Sequence, residues 1–257
     1  MVLVLDIGNS NIVMGLMNNS NKLCFSKRID TNLHKTVDEY ATEINEFLYE
    51  SGVSSSNIND AAISSVVPLL TQVQKYAIAK ALNIEAFVVD SSMDTGLKIL
   101  IDNPSELGND LLCGAVAGVD NYDLPLIIFD IGTATTVTVI NEKKELIGGL
   151  IYPGPKISLE TLSLKAAQLP SIGLEPPESI IGKNTKDCMI SGIIYGNAFM
   201  IEGIINNIEK KLQSKATVVA TGGICSLIIP YCERKIIWDD NLMFKGIMSI
   251  YKRVGLK

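Results

Sequence analysis

The strongest constraint on the fold is a strand–turn–strand pattern that occurs twice in the chain. Residues 2–17 read VLVLDIGNSNIVMGLM and residues 126–141 read LIIFDIGTATTVTVIN. In each copy an apolar run leads into Asp-Ile-Gly, small polar residues follow, and a second run of largely apolar character comes next. Asp6 and Asp130 are 130 − 6 = 124 positions apart in a chain of 257 residues, which is close to half its length. The match in both copies favours a duplicated domain over two unrelated hairpins.

Apolar periodicity predicts both helices and strands in each half. Positions at helical spacing predict helices at residues 37–51, 69–82, 108–119, 157–168 and 187–213. Short apolar runs predict strands at residues 61–67, 86–89 and 217–220, besides those of the repeat. We therefore expect an α/β chain with an N-terminal lobe at residues 1–122 and a C-terminal lobe at residues 123–257.

The charge and the hydropathy pattern exclude several classes of protein. Lys and Arg number 22 against 28 Asp and Glu, and no basic cluster occurs, which disfavours binding to nucleic acid. The first ten residues have no basic segment, and no run of 18 uncharged apolar residues occurs, which disfavours a signal peptide and a membrane span. We expect a soluble, cytoplasmic protein.

Cysteine and histidine usage narrows the possible chemistry. The five cysteines are odd in number and contain no CxxC pair, so a disulfide framework or a zinc site is disfavoured. His34 is the only histidine, which leaves no second imidazole for a histidine-based metal site. Buried free thiols are the simplest expectation for the cysteines.

The two turns of the repeat have the residue types that bind phosphate. Glycine permits a tight turn and close approach of a ligand, and small polar residues supply N–H and hydroxyl donors. These residues are Gly8, Asn9 and Ser10 in the first turn, and Gly132 and Thr133 in the second. Asp6 and Asp130 are suited to hold a hydrated cation beside the phosphates. For either copy alone, an aspartate that stabilises the turn is an equal alternative.

The order of motifs resembles the superfamily of acetate kinase, sugar kinases, Hsp70 and actin, and within it the type III pantothenate kinases. The likeness covers nearly the whole chain, and it rests on several motifs in sequence because none of them is specific alone. They are Asp6-Ile-Gly-Asn-Ser10, Asp102-Asn-Pro104, Gly108-Asn-Asp110, Asp130-Ile-Gly-Thr-Ala-Thr-Thr136, Gly148-Gly149 with Pro153-Gly154, Gly182-Lys-Asn-Thr185 and Thr221-Gly-Gly223. The resemblance implies duplicated actin-like (ribonuclease H-like) lobes with mixed sheets flanked by helices.

The resemblance also implies an activity, which is the ATP-dependent phosphorylation of pantothenate to 4′-phosphopantothenate at the start of coenzyme A synthesis. It implies Mg²⁺, a monovalent cation such as K⁺ or NH₄⁺, and a homodimer. Asp110 matches the general base, although an N-terminal helix cap is the alternative from the residues alone. The remaining implied roles are ATP binding by Asp6, Gly8, Asn9, Ser10, Gly132, Thr133, Gly222 and Gly223, substrate binding by Gly108, Asp110 and Thr185, and metal binding by Asp130 and Asp6.

Two positions depart from the family pattern on the acceptor side. Leu111 stands where the pattern has Arg, and Ile101 stands where it usually has Tyr. An arginine pairs well with a carboxylate such as that of pantothenate, and leucine makes no such bond. An ordinary kinase with another cation such as Lys156 or Lys165, a kinase for a different acceptor, and a non-catalytic nucleotide- or pantothenate-binding regulator all stay open. A phosphohydrolase of the same superfamily is a further alternative.

Overall fold

The computed structural model describes residues 1–255, which divide into two compact units. The first unit contains Met1–Leu97, Asp102–Asp120 and the C-terminal segment from Asn241. The second contains Lys98–Ile101 and Asn121–Asp240. These units do not follow the predicted lobes at residues 1–122 and 123–257, because Lys98–Ile101 belongs to the second unit and the segment from Asn241 to the first. The two lobes stay a prediction about the duplication along the sequence.

Strands and helices both occur along the whole of the described chain, residues 1–255. In order, they are β1 (Val2–Ile7), β2 (Asn11–Met17), β3 (Leu23–Asp30), β4 (Asp60–Ser65), β5 (Phe87–Val88), β6 (Lys98–Ile99), β7 (Leu126–Ile131), β8 (Ala134–Ile140), β9 (Glu145–Pro153), β10 (Thr217–Thr221) and β11 (Ile237–Trp238). The α-helices are α1 (Val37–Ser51), α2 (Pro68–Leu82), α3 (Asn109–Asn121), α4 (Pro155–Lys165), α5 (Thr185–Leu212), α6 (Cys225–Ile228) and α7 (Leu242–Ile250).

Local signals explain where the first helix begins and ends. The Thr36 hydroxyl accepts a hydrogen bond from the backbone N–H of Glu39, and the Glu39 carboxylate accepts one from the backbone N–H of Thr36. This capping box satisfies two donors that a helix start leaves unpaired. Gly52 ends the helix in the left-handed region at φ 69°, where glycine has no steric penalty. The predicted helix at residues 37–51 is confirmed.

Each unit contains one mixed sheet, and the two sheets share a topology. The first has the strand order β3-β2-β1-β4-β5 and the second has β11-β10-β7-β8-β9-β6. In the first, β1 pairs antiparallel with β2 and parallel with β4. In the second, β7 pairs antiparallel with β8 and parallel with β10. When the second order is read from its other end, the strands β9-β8-β7-β10-β11 correspond to β3-β2-β1-β4-β5, and β6 is an addition beside β9. The two sheets confirm the predicted α/β class with mixed sheets.

Each sheet buries one face against its own helices. Alternate residues of β1 pack with buried side chains of α1 and α2, among them Tyr40, Phe47 and Ile78. Alternate residues of β7 pack with α5 and α6. Because side chains alternate across a strand, Asp6 and Asp130 lie on the opposite side from these cores.

The C-terminal helix α7 belongs to the first unit because it packs on β1 and β4. Gly246 lies directly against the backbone of Cys113 in α3, so closely that a Cβ on it would overlap with the Cys113 carbonyl. Gly15 in β2 accommodates the Phe244 ring in the same way, with a ring carbon 2.8 Å from where its Cβ would be. Two glycines thus allow α7 to lie close to the sheet and to α3.

Helix α5 is the one helix within residues 1–255 that is long and apolar enough to cross a membrane, by length and composition alone. Half of its most apolar stretch is buried inside the protein. Ile194, Ala198, Ile201 and Ile205 form one buried side that packs in the second core. This pattern is that of a core helix.

The tight contact at Gly246 predicts a selective loss of stability. Gly246→Ala places a methyl group into the Cys113 backbone, and overpacking of this kind lowers the free energy of unfolding by about 1–3 kcal/mol. Gly114→Ala in α3 is the control, since its Cβ would meet only the Met243 sulfur at 3.9 Å, an ordinary contact. Urea denaturation of the two variants measures the difference. Equal stability of the two would contradict the packing described.

Candidate functional site

The first unit carries Asp6 at the carboxyl end of β1, just before a tight hairpin turn. The Gly8 N–H donates to the Asn11 carbonyl at 2.9 Å, which closes the turn, and Asn9 and Ser10 are exposed at its tip. The side chain of Asp6 is partly exposed. An exposed turn with small residues beside a carboxylate presents backbone N–H groups to a ligand.

Thr31 fixes this turn from the side, and the sequence alone gave no sign of it. The Thr31 hydroxyl donates to the Gly8 carbonyl at 2.7 Å, and the Thr31 N–H donates to the Ser10 carbonyl at 3.0 Å. These bonds hold both ends of the turn from the residue that follows β3. Because Thr31 is 23 positions from Gly8, only the pairing of β2 with β3 brings them together.

Asp110 lies in the first turn of α3, and its neighbours determine where its carboxylate points. Its Oδ1 accepts a hydrogen bond from the Leu111 N–H at 2.7 Å. A Cβ on Gly108 would overlap with that oxygen, so a larger residue there would require the Asp110 carboxylate to move. The Asn109 side chain donates to the Ser65 carbonyl at 3.2 Å, which ties the start of α3 to the end of β4.

Burial dominates the electrostatics of Asp110. Desolvation raises the pKa of its carboxyl group above the ordinary value, and the hydrogen bond from the Leu111 N–H opposes that rise in part. Cys113 is fully buried one turn further along α3, and burial raises the pKa of its thiol. The negative charges of Asp6 and Asp110 both add to the rise in the thiol pKa. The structure therefore brings these two carboxylates close to the same thiol.

The second unit carries the equivalent turn after β7. The Gly132 N–H donates to the Ala134 carbonyl at 3.1 Å, and the Gly154 N–H donates to the Thr133 carbonyl at 3.0 Å. A Cβ on Gly154 would overlap with the Gly132 carbonyl oxygen. Gly154 therefore supports the second turn by direct backbone contact, as a glycine alone can do. Thr133 is exposed at the tip.

Gly222 lies beside Asp130, where β10 ends next to β7. Thr221 is the register partner of Asp130, and Gly222 follows at φ 100°, a conformation that favours glycine. Its Cβ would lie 2.6 Å from the Ile131 carbonyl oxygen and 2.7 Å from the Asp130 Oδ1. Gly223 is exposed next to it. The structure thus brings Asp130 and Gly222 into direct contact and places the Gly132 turn on the same strand end.

Thr185 lies elsewhere in the second unit, at the first position of α5. The Asn184 side chain caps this helix by accepting from the Asp187 N–H at 3.0 Å. Thr185 is exposed at the rim of a surface pocket of about 550 Å³, together with apolar side chains of α4 and α5. The lining residues are Leu162, Leu169, Thr185, Cys188, Met189, Gly192 and Ile193. This pocket offers an apolar wall and one hydroxyl.

The carboxylates do not form a metal site made by protein ligands alone. Within residues 1–255, no three His, Cys, Asp or Glu side chains are placed to hold one metal ion. A transition-metal centre would need such a set. Single carboxylates at strand ends instead fit a hard cation that keeps most of its ligands from water and from a bound phosphate.

Comparison with known proteins shows which family the sequence matches. A sequence profile of the type III pantothenate kinase family matches residues 2–207. The chain is 42% identical to a type III pantothenate kinase of Bacillus cytotoxicus, over 98% of this chain and 96% of that protein. It is 41% identical to a type III pantothenate kinase of an Exiguobacterium strain, over 98% of this chain and 99% of that protein.

A solved structure supports the fold. The activator of the 2-hydroxyisocaproyl-CoA dehydratase from Clostridium difficile, with ADPNP bound, superposes with a TM-score of 0.56 at 13% identity. The match covers 97% of this chain and 93% of that one. At this identity the likeness concerns the fold alone, and it confirms the actin-like class expected from the sequence.

The environment of Asp110 predicts an altered titration. In a ¹³C NMR titration, the Asp110 carboxyl is expected to titrate above about 3.9, the ordinary value for aspartate. Gly108→Ala pushes the carboxylate off its buried position, so its pKa is expected to move down towards that ordinary value. Gly114→Ala, in the same helix but without overlap, should leave the titration unchanged. A midpoint that is insensitive to Gly108→Ala would contradict the geometry.

Proposed function

The chain belongs to the type III pantothenate kinase family and so transfers phosphate from ATP to pantothenate in coenzyme A biosynthesis, and we propose that Asp110 is the general base of this transfer. The single observation that supports the role is the placement of a half-buried carboxylate, with a raised pKa, near Asp6 in the first unit. A base whose pKa lies closer to the working pH accepts a proton more effectively than an ordinary aspartate.

We propose that the two hairpin turns and the Gly222 segment bind ATP. Exposed N–H groups and hydroxyls in such turns neutralise phosphate oxygens without a lysine. The residues proposed are Asp6, Gly8, Asn9 and Ser10 in the first unit, and Gly132, Thr133, Gly222 and Gly223 in the second. The contacts of Thr31 and Gly154 support this role, because they fix the turns before any ligand arrives.

Asp6 and Asp130 are the residues proposed to hold Mg²⁺ and a monovalent cation (K⁺ or NH₄⁺). Mg²⁺ commonly binds through one or two carboxylates, water and substrate phosphates, and a lone strand-end carboxylate suits that mode. When bound, these cations neutralise charge on the phosphates during transfer. The protein's part is to aim the carboxylates, and strand pairing on both sides of Asp6 and of Asp130 does so.

We propose the following transfer step for these residues. The acceptor hydroxyl oxygen attacks the terminal phosphorus of ATP, its proton passes to the Asp110 carboxylate, and ADP leaves with the bridging oxygen. Gly108 leaves the carboxylate room to accept that proton, since a side chain there would displace it. We propose that Gly108 and Thr185 also contact the acceptor, and the apolar pocket at Thr185 suits the aliphatic part of pantothenate.

The acceptor side is where this chain departs from its family. Leu111 donates its backbone N–H to Asp110, but its side chain has no charge to pair with the carboxylate of pantothenate. The absence of the family's Arg at Leu111 and Tyr at Ile101 motivates the alternative, which is a different acceptor or ligand binding without turnover. The dependence of ATP consumption on pantothenate separates these alternatives.

We propose a cytoplasmic homodimer that interacts with neither nucleic acid nor membrane. Most of the large apolar side chains that are exposed belong to the second unit, including Ile151 at 73%, Leu164 at 82% and Ile181 at 75%. A contiguous patch of exposed apolar side chains marks an association surface in soluble proteins, and these side chains are the candidates for one. The net charge of −6 disfavours contact with phosphate backbones and anionic lipid surfaces.

Replacing the base is expected to separate chemistry from binding. Asp110→Asn keeps the size of the side chain but cannot accept the proton, so kcat should fall by roughly 10²–10⁴-fold while ADP binding is retained. In the wild type, kcat/KM should decline on the acid side at a pH above the ordinary aspartate value, because the raised pKa leaves less carboxylate ionised. Asp123→Asn, an exposed change of the same charge, is the control. Near-normal turnover of Asp110→Asn would reject the base assignment.

The acceptor is identified by its product. Mg·ATP and K⁺ with pantothenate should release ADP and form a product of the mass of 4′-phosphopantothenate, and omission of pantothenate should abolish ADP release. Replacing K⁺ with Na⁺ tests the monovalent cation in the same assay. ADP or phosphate release without pantothenate would indicate a hydrolase, and folded protein without turnover would indicate a different acceptor or a binding role.

A further inference from the structure

Ser64 is a buried hydroxyl beside Asp6 that the proposed reaction does not yet use. It lies near the end of β4 and is the register partner of Asp6 on β1. Their neighbours Leu5 and Ile63, also register partners, face the core against α1 and α2. Because side chains alternate along a strand, Asp6 and Ser64 both face the other side. Their side chains are therefore neighbours on one face of the sheet.

The Ser64 hydroxyl has no hydrogen-bond partner among the described residues, although the side chain is 0% exposed. Its one polar neighbour of note in this part of the chain is the Cys113 thiol, whose pKa the Ser64 hydroxyl lowers in part, and sulfur is a weak hydrogen-bond partner. A buried hydroxyl without a partner is destabilising and uncommon in native proteins. The Ser64 hydroxyl is thus a donor available to a further acceptor, and it lies in the group of side chains that contains Asp6, Asp110 and Cys113.

The adjacent Ser65 differs from Ser64 because its hydroxyl has two hydrogen-bond partners. The Ser65 hydroxyl donates to the Val67 carbonyl at 3.2 Å and accepts from the Val67 N–H at 3.0 Å. Both bonds shape the chain where it enters α2. Ser65 therefore has a structural role that accounts for its hydroxyl, whereas within residues 1–255 the hydroxyl of Ser64 has only the weak interaction with the Cys113 thiol.

The duplication supplies an independent observation. In the second unit the register partner of Asp130 on the parallel strand is Thr221, as Ser64 is the partner of Asp6 in the first. A hydroxyl residue thus lies beside the strand-end aspartate in both sheets. Thr221 belongs to the Thr-Gly-Gly motif, whereas Ser64 belongs to no motif that the sequence brought out.

We propose that Ser64 is a positioning residue for Asp6, whose hydroxyl turns from Cys113 to the Asp6 carboxylate when Asp6 engages the cation and phosphates of ATP. This inference rests on the proposed role of Asp6. A single rotation about the Ser64 χ1 angle moves the hydroxyl between neighbours on the same face. The O–H donor then orients the carboxylate without competing for its charge, and a bond to an ionised acceptor is stronger than a neutral one.

Ser64→Ala tests the proposal by separating function from stability. We expect kcat/KM for ATP to fall about tenfold, the Mg²⁺ concentration for half-maximal rate to rise, and the affinity for Mg·ADP by calorimetry to fall about tenfold, as loss of a charge-assisted bond implies. The thermal midpoint should stay or rise, because the variant removes an unpartnered buried hydroxyl. Ser64→Cys, which keeps the volume but is a weak donor, should behave like Ser64→Ala.

Ser65→Ala is the matched control. Its thermal midpoint should fall because two hydrogen bonds at the start of α2 are lost, while its nucleotide affinity should stay within about twofold of the wild type. The proposal would be overturned if Ser64→Ala behaved as expected of Ser65→Ala, with a lowered thermal midpoint and an unchanged affinity for Mg·ADP.

A double-mutant cycle distinguishes failure of this inference from failure of the proposed function. In an Asp6→Asn background, Ser64→Ala should have little further effect on Mg·ADP affinity, because the positioned group is already altered. A full additional tenfold loss would show that Ser64 acts independently of Asp6 and would overturn the inference alone. If Asp6→Asn itself leaves nucleotide affinity unchanged, the proposed role of Asp6 falls, and that of Ser64 falls with it.

Discussion

The pairing of each aspartate-bearing strand on both of its edges is the constraint on which the rest of the structure depends. β1 lies between an antiparallel partner and a parallel one, and so does β7. The antiparallel partner forms the tight turn that presents small residues, and the parallel partner ends beside the carboxylate. Backbone hydrogen bonds on both sides fix the Cα positions of Asp6 and Asp130 far more firmly than a loop would.

At the start of α3, desolvation and a hydrogen bond act in opposite directions on the pKa of Asp110, and the balance between them suits a general base. Asp110 is buried enough for its pKa to rise, yet it retains a backbone donor from Leu111 that favours the charged form. Cys113 beneath it stays a neutral thiol, because burial and two nearby anions disfavour its ionisation. The interior next to the carboxylates therefore adds no charge of its own and leaves their field directed outwards.

The sequence predicted what depends on local pattern and missed what depends on distant contacts. The hairpins at Asp6 and Asp130 and the helix at residues 37–51 were predicted because a few adjacent residues determine them. β3 was missed, because its alternate residues are exposed and polar, and Thr31 was missed with it. The partial burial of Asp110, the unpartnered hydroxyl of Ser64 and the packing of α7 on β1 depend on the folded chain, since their neighbours lie far apart in sequence.

The place of α7 gives the chain an unusual order of completion during synthesis. Domains of a growing chain generally fold from the N-terminus onwards. Here the sheet that contains β1 obtains the cover of α7 only after Leu242–Ile250 has left the ribosome, because α7 packs on β1 and β4. The unit formed mainly by Asn121–Asp240 has all of its strands and helices earlier. The unit that begins earlier is thus completed after the other, and a nascent chain that stops short of α7 leaves the strand bearing Asp6 open on one face.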